Sequence, residues 1–278
     1  TCIVEAYHEG DILFPVRGKS CSTRAMPSLG NKFPTFHAFA SAALPQIYDP
    51  PRLQSAQRLS INELASGVLL NDGKGHLSFR PLPRLAQVSA AFGLAFGDFD
   101  VDGKMDLAMA HNFYSPQPET GNVDGGLGMV LRGLGDGTFQ PLRVDQSGFL
   151  LPGDAKALAL TDLDGDTRPD LVATVNSSSP KIFLNRVVKG DSLIIRLKGP
   201  NGNPRGVGSR VSLKLKNGKT LVGEVYSGSS YLTASSTDLF FSIPEGDKAD
   251  SLAVRSPLGK MIEQKLTVST GVVVITLN

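Results

Sequence analysis

Two stretches of this chain follow one pattern. Residues 95–112 read AFGDFDVDGKMDLAMAHN, and residues 159–176 read ALTDLDGDTRPDLVATVN. Residues 68–77 and 130–139 form a second matching pair at nearly the same offset, in which Gly-rich turns follow apolar runs. A period of about 60 residues with short apolar runs and Gly/Asp turns is typical of repeated β units such as propeller blades. The sequence therefore predicts a repeat β architecture.

The repeats place a first domain at residues 1–190 of an all-β chain. Two full repeats and an upstream portion are visible, whereas closed propellers need about four to eight blades. We therefore predict the C-terminal blades of an incomplete propeller, with an exposed edge on its N-terminal side. Residues 35–65 differ, because their apolar side chains recur at helical spacing between prolines, first from Phe36 to Tyr48 and then through Leu53, Ala56, Leu59 and Leu64. They predict a helical insertion.

A second domain is predicted at residues 191–278, where apolar and polar residues alternate as in half-buried strands. The pair Asn217-Gly218 between two such runs is a strong hairpin signal. This part reads as a small β-sandwich or barrel. The strands are predicted at residues 193–197, 211–216, 221–225, 239–243, 251–255 and 272–277.

Composition excludes several classes of protein. The formal net charge is +2, which argues against a strongly basic nucleic-acid binder, and no apolar run reaches the ~18 residues of a membrane span. The chain opens with Thr1 and without the charged and apolar regions of a signal peptide, so we expect a processed or truncated N-terminus. Cys2 and Cys21 are compatible with one disulfide or with two buried thiols.

The strongest chemical signal is the pair of Asp-rich loops. Each loop has carboxylates at its positions 1, 3, 5 and 9, which repel one another unless a cation joins them. A hard cation that takes six to eight oxygens at about 2.3–2.6 Å removes this repulsion, and Ca²⁺ fits best. The predicted ligands are Asp98, Asp100, Asp102 and Asp106 in the first loop, and Asp162, Asp164, Asp166 and Asp170 in the second.

The remaining positions of the two loops refine this prediction. Position 7, Lys104 or Arg168, offers its backbone carbonyl while its side chain points to solvent. Position 6 is Gly103 in the first loop and Thr167 in the second, where Gly165 takes up the tight turn earlier in the loop. Position 12 is apolar in both loops, which excludes an EF-hand because that loop needs a Glu there. The alternative is a pair of solvated Asp-rich turns.

These motifs resemble a known family. The Gly-rich hairpin followed by an Asp-rich loop resembles the FG-GAP/VCBS repeats of integrin-like β-propellers. The run Asn203–Val211, with Gly228–Leu232 downstream, is similar to the ASPIC/UnbV domain that often follows them, as in the cartilage acidic protein family. The chain departs from that family at Phe241–Gly246, and it has no Trp at its Arg255–Gly259 turn.

The resemblance and the Asp-rich loops together predict a non-enzymatic, calcium-stabilised recognition or adhesion protein. We expect it in an extracellular, periplasmic or cell-surface location with a protein or glycan ligand. One alternative is an exported propeller enzyme that acts on polysaccharide, although the four histidines are scattered and no nucleophile motif is present.

A further alternative is binding of an anionic polymer through the basic run Arg196–Lys219 of the second domain. That domain would otherwise dock on the last repeat through outward-facing Leu232, Phe240 or Ile243.

Overall fold

The computed structural model describes residues 3–116 and 120–277. Two compact units make up the chain, Thr1–Leu64 and Ala65–Asn278. Strands hold 37% of the residues and helices 13%, which confirms a mainly β protein. In the part of the chain that is described, the small sheets close neither a barrel nor a propeller ring, so the propeller remains a prediction.

The first unit contains a β-hairpin followed by short helices. Its core holds Leu29, Phe39, Ala42 and Ile47, all buried. The strands are β1 (Ala6–Glu9) and β2 (Ile12–Pro15), and the helices are α1 (Lys19–Ala25), α2 (Ser28–Lys32), α3 (Phe36–Ala40), α4 (Leu44–Ile47) and α5 (Pro50–Ser55). Cys2 lies outside the described residues, so the choice between a disulfide with Cys21 and two buried thiols stays open. None of the described helices is long and apolar enough to cross a bilayer.

The helical segment differs from the predicted range of 35–65 at both ends. Helices begin at Lys19 and end at Ser55, and residues 56–66 contain no helix. Leu59 and Leu64, which suggested a second helical pattern, are 87% and 89% exposed. A short amphipathic segment with no surface to pack against gains too little to offset the cost of helix nucleation.

The repeat part of the second unit is built from three antiparallel sheets. The strands are β3 (Gly67–Asn71), β4 (Leu77–Pro81), β5 (Ala91–Gly97), β6 (Asp106–His111), β7 (Met129–Gly133), β8 (Phe139–Pro141), β9 (Ala155–Thr161), β10 (Asp170–Val175) and β11 (Lys181–Phe183), with helix α6 (Val144–Ser147) after β8 and a 3-10 helix at Arg84–Gln87. Strands β3 and β4 form a two-stranded sheet, β5-β6-β7-β8 form a four-stranded sheet, and β11-β10-β9 form a three-stranded sheet. Both Asp-rich loops connect neighbouring strands, β5 to β6 and β9 to β10.

Small residues let the four-stranded and three-stranded sheets approach closely. Alanines from both sheets share one core cluster, including Ala95 and Ala108 on one side and Ala155 and Ala173 on the other. A Cβ atom on Gly93 would lie 2.8 Å from the backbone nitrogen of Leu158. Larger side chains at these positions would push the two sheets apart. This explains why alanine and glycine occupy them.

The C-terminal part of the second unit is a two-sheet sandwich. Its strands are β12 (Asp191–Lys198), β13 (Arg210–Leu215), β14 (Thr220–Glu224), β15 (Leu239–Ile243), β16 (Ala249–Arg255), β17 (Met261–Lys265) and β18 (Gly271–Thr276). The sheets β15-β12-β18 and β14-β13-β16-β17 share one apolar core. The predicted Asn217-Gly218 hairpin joins β13 to β14, with Gly218 at φ +90°.

This sandwich docks on the repeat sheets. Phe240 packs against the core cluster of the repeats, and the Ser242 hydroxyl donates a hydrogen bond of 3.0 Å to the carbonyl of Asp98. The other two residues expected at the contact lie elsewhere. Leu232 is 83% exposed, and Ile243 belongs to the core of the sandwich itself.

A pair of equivalent leucines tests the packing of the repeats. Leu69 and Leu131 occupy the same repeat position, yet Leu131 is fully buried and Leu69 is 61% exposed. We expect Leu131→Ala to lower the free energy of unfolding by about 2–5 kcal/mol and Leu69→Ala to change it by less than about 0.5 kcal/mol. Denaturant unfolding of the two variants measures both values, and equal losses would contradict this packing.

Candidate metal centre

The first Asp-rich loop brings three carboxylates together. Asp98 directly follows β5, and Asp100 and Asp102 lie further along the same loop. One carboxylate oxygen from each lies within 4.8 Å of the others. The backbone N–H groups of Asp102 and Gly103 donate to the two oxygens of Asp98, at 3.1 and 2.7 Å, and hold that side chain in place.

The second loop repeats this arrangement. Asp162, Asp164 and Asp166 each place an oxygen within the same 4.8 Å limit. Asp162 accepts N–H bonds from Gly165 and Thr167, at 2.8 and 3.1 Å. Both predicted loops thus form acidic triads at positions 1, 3 and 5.

The position-9 carboxylates, Asp106 and Asp170, occupy a different environment. Asp106 opens β6, is buried, and accepts N–H bonds of 2.9 Å from Phe99 and 2.8 Å from Gly133. Asp170 opens β10 and accepts in the same way from Leu163 and Asn185. These side chains fasten each loop to a later part of the chain, at the end of β7 in the first repeat and just after β11 in the second. A role for them as ligands remains a prediction.

Arginine side chains balance part of the acidic charge. In the first loop Arg132 lies 2.8 Å from Asp100 and 2.9 Å from Asp102. In the second, Arg186 lies 2.7 Å from an oxygen of Asp164. Arginine side chains therefore already neutralise part of the negative charge of each triad. A cation added to either loop would compete with these ion pairs.

The position-7 side chains also turn toward the acids. We expected Lys104 and Arg168 to point to solvent, but the Lys104 ammonium lies 3.6 Å from Asp102 and Arg168 lies 2.9 Å from Asp166. Electrostatic attraction between side chains two positions apart in a tight turn explains the difference. Whether their backbone carbonyls bind an ion remains a prediction.

The two loops share one backbone shape. Positions 4 and 6 have positive φ in both: 58° at Val101 and 79° at Gly103, then 81° at Gly165 and 70° at Thr167. The expected shift of the turn to Gly165 does not occur, because Thr167 itself adopts the left-handed conformation. Reciprocal hydrogen bonds with Ser192 hold Thr167 in it.

The residues of the first triad fit a hard cation. Asp100 Oδ1 is buried and has no hydrogen-bond partner among the described residues, which is costly for a carboxylate oxygen. The donors are all carboxylate oxygens, the ligand type that Ca²⁺ prefers. A cation bound at the first triad would therefore interact with this buried oxygen and compensate its lost hydration.

Burial also affects protonation in this loop. It raises the pKa of Asp98 to about 7 and that of Asp106 to about 6, although backbone N–H donors oppose the shift in both cases. Nearby carboxylates add to the increase. A cation in the triad would favour the ionised forms.

The sandwich contacts both loops through residues for which the sequence indicated no such role. The Lys219 ammonium donates to the carbonyl of Gly103 at 2.5 Å, and Ser192 and Thr167 exchange the bonds described above. Arg132 was likewise missed. Its position in a Gly-rich hairpin gave no indication of a partner in the earlier Asp-rich loop.

Comparison with known proteins supports one part of the resemblance. Residues 199–276 match the family described as ASPIC and UnbV; the match covers the sandwich from the end of β12 onward and less than a third of the chain. Among curated proteins, none matches this sequence. The presence of an ASPIC/UnbV domain is therefore confirmed.

The raised pKa of Asp98 predicts a pH dependence of stability in chelator-treated protein. Because the folded-state pKa lies above the ordinary value near 3.8, ionisation of Asp98 costs stability as the pH rises from about 4 to about 7. The loss is at most about 1.4 kcal/mol per pH unit. The side chain introduced by Asp98→Asn does not ionise. We therefore expect the free energy of unfolding of this variant to fall less than that of wild type between about pH 4 and about pH 7. Denaturant unfolding at pH 4.5, 5.5, 6.5 and 7.5 compares the proteins, and equal slopes would contradict the assignment.

Proposed function

We propose that this chain is a calcium-binding, non-enzymatic recognition or adhesion protein that acts outside the cell. In this proposal the repeats are FG-GAP/VCBS blades of an integrin-like propeller, followed by the ASPIC/UnbV domain, as in the cartilage acidic protein family. The match at residues 199–276 supports the last element. Its ligand would be a protein or a glycan.

The observation that carries the calcium proposal is the repetition of the triad. Asp98, Asp100 and Asp102 recur in the next repeat as Asp162, Asp164 and Asp166, with the same grouping of oxygens. A single exposed acidic turn is common. Two in register, one with a buried unpartnered oxygen, support a shared requirement for a cation. Bound Ca²⁺ would neutralise the carboxylates and fix each loop between its two strands.

The ion pairs within the loops support an extracellular location. A cation at the first triad would compete with Arg132, and one at the second with Arg168 and Arg186. Such competition lowers affinity, and weak structural sites of about 10⁻⁴–10⁻³ M suit extracellular calcium. ASPIC/UnbV domains are also typical of secreted and cell-surface proteins.

The same contacts support a non-enzymatic role. The triad carboxylates already accept backbone N–H groups or pair with arginines, as Asp98 and Asp166 do. Metal binding accounts for these carboxylates without a catalytic pair.

Calcium titration of the chelator-treated protein tests the proposal. At a hundredfold excess over the dissociation constant, each filled site stabilises the fold by roughly 2.7 kcal/mol, which is about 5–10 °C in melting temperature for a chain of this size. We expect Asp100→Asn and Asp164→Asn each to remove part of this increase and the double variant to remove nearly all of it. Differential scanning calorimetry gives the values.

The matched control is Asp145→Asn. This acid is exposed, lies in α6 and pairs with Arg143, which directly precedes that helix. It belongs to neither Asp-rich loop. It should keep the full calcium response. A wild-type melting curve that calcium leaves unchanged, or an equal response in the double variant, would refute calcium binding at the triads.

A second candidate function is binding of an anionic polymer to the outer face of the four-stranded sheet of the sandwich. The basic run predicted from the sequence does not form one surface, because Arg196 pairs with Asp238 and Lys219 contacts Gly103. Four basic residues do share the outer face, and strand register places them there. They are Arg210, Lys214, Arg255 and Lys265, beside Glu224 and Glu263.

Elution from immobilised heparin tests this face. We expect the triple change Arg210→Ser, Lys214→Ser and Arg255→Ser to lower the salt concentration needed for elution at least twofold, since screened surface charges dominate such binding. The control changes Lys189, Lys198 and Arg205, which are exposed and lie outside this sheet. Equal effects of the two sets would reject the sheet face as a binding surface.

A further inference from the structure

Two serines on neighbouring strands of the sandwich face the repeat sheets. Ser192 lies near the start of β12, directly opposite Ser242 of β15 in the antiparallel pair. Both are buried, at 5% and 4% exposed. The adjacent residues Leu193 and Phe241 belong to the core of the sandwich. Because side chains alternate along a strand, the two serines point away from that core, toward the repeats.

Each of these serines contacts a different Asp-rich loop. The Ser242 hydroxyl donates to the carbonyl of Asp98, position 1 of the first loop, at 3.0 Å. The Ser192 hydroxyl donates to the carbonyl of Thr167, position 6 of the second loop, at 2.6 Å. The Thr167 hydroxyl donates in return to the carbonyl of Ser192 at 3.0 Å. One cross-strand pair of serines therefore reaches both candidate metal centres.

The backbone of Thr167 needs support from outside its loop. Its φ is +70°, a conformation that β-branched residues rarely adopt. The first loop has Gly103 at this position, which takes a positive φ without steric cost. The N–H of Thr167 donates to Asp162, the first carboxylate of the second triad. Rotation of residue 167 out of this conformation would turn that N–H away from Asp162, so the contact with Ser192 acts on the triad.

The contact with Ser242 acts on the first triad more directly. Asp98 supplies the first carboxylate of that triad, and Ser242 holds its peptide group where the chain leaves β5. The side chain of Asp98 in turn accepts the N–H groups of Asp102 and Gly103. Lys219 adds a second contact from the sandwich, since its ammonium donates to the carbonyl of Gly103. The sandwich thus holds the first loop at both ends of its turn.

We propose that Ser192 and Ser242 are positioning residues for the two metal centres. Ser242 holds Asp98, and Ser192 holds Thr167, in the loop shape that binds calcium. This inference rests on the calcium binding of the proposed function. A loop that occupies its binding shape for only part of the time binds more weakly in proportion to that fraction. Docking of the sandwich therefore sets the calcium affinity of the repeats, and by linkage calcium strengthens the docking.

Calcium titration of single-centre proteins tests each serine. Asp164→Asn leaves the first centre intact, and Asp100→Asn leaves the second. In the Asp164→Asn protein we expect Ser242→Ala to weaken calcium binding about three- to tenfold, the range for loss of one hydrogen bond, and Ser192→Ala to change it less than about twofold. In the Asp100→Asn protein the two serine variants should exchange these effects. Isothermal titration calorimetry gives the dissociation constants.

The matched control is Ser209→Ala. Ser209 is a fully buried serine of the sandwich, and its hydroxyl has no hydrogen-bond partner among the described residues. It contacts neither Asp-rich loop through that hydroxyl. We expect its replacement to leave calcium affinity within about twofold at both centres. Equal losses in Ser192→Ala, Ser242→Ala and Ser209→Ala would indicate general destabilisation and overturn the positioning role.

Variants of Thr167 test the second loop independently, and they serve if Ser192→Ala does not fold. Thr167→Val keeps the branched shape but removes the hydroxyl bond to Ser192. Thr167→Gly removes more of the side chain but allows a positive φ freely. In the Asp100→Asn protein we expect the valine variant to bind calcium about three- to tenfold more weakly and the glycine variant to stay within about twofold. A role in packing alone predicts the opposite order, and that order would overturn the proposal.

Hydrogen exchange in the chelator-treated protein shows whether the hold is local. We expect the amides of residues 163–168 to exchange at least about threefold faster in Ser192→Ala, while those of residues 99–104 keep their rates. Unchanged rates in both loops would contradict the proposal. A wild-type protein that binds no calcium rejects the proposed function and the positioning role with it. Calcium binding that neither serine variant weakens overturns the positioning role alone.

Discussion

The arrangement of the repeats depends on one buried carboxylate at the start of each inner strand. Asp106 and Asp170 each accept a backbone N–H from their own loop and another from a later segment, at Gly133 and Asn185. A buried carboxylate is tolerated only when such donors compensate its lost hydration. Each of these side chains therefore fixes loop, strand and following segment together, and the triads form on the loops that they hold.

The sequence predicted the features that depend on neighbouring residues. The Asp-rich loops and the Asn217-Gly218 hairpin lie where they were expected, because turn chemistry is local and recurs with the repeat. The predicted strand at residues 239–243 coincides with β15, since a short run rich in apolar and aromatic residues favours a strand. The close approach of the acids at positions 1, 3 and 5 was also predictable, because they lie two residues apart within one short loop.

Features that depend on distant contacts could not be predicted. Arg132 meets Asp102 from a different hairpin, and Lys219 meets Gly103 from a different domain, so neither partner has a local signature. The helical pattern at Leu59 and Leu64 failed for the opposite reason, because periodicity was present but nothing packs on it. Strand β17 lacks clear alternation and forms by pairing with β16.

The hydrogen bond from Ser242 to the carbonyl of Asp98 has a consequence for biosynthesis. The two residues are 144 positions apart. At about 5–20 residues per second, a ribosome needs about 7–30 seconds to connect them. During that interval the first Asp-rich loop is complete in sequence but lacks its contact with the sandwich. A nascent chain released before β15 would carry that loop without its C-terminal support, so this contact forms only after both repeats have been synthesised.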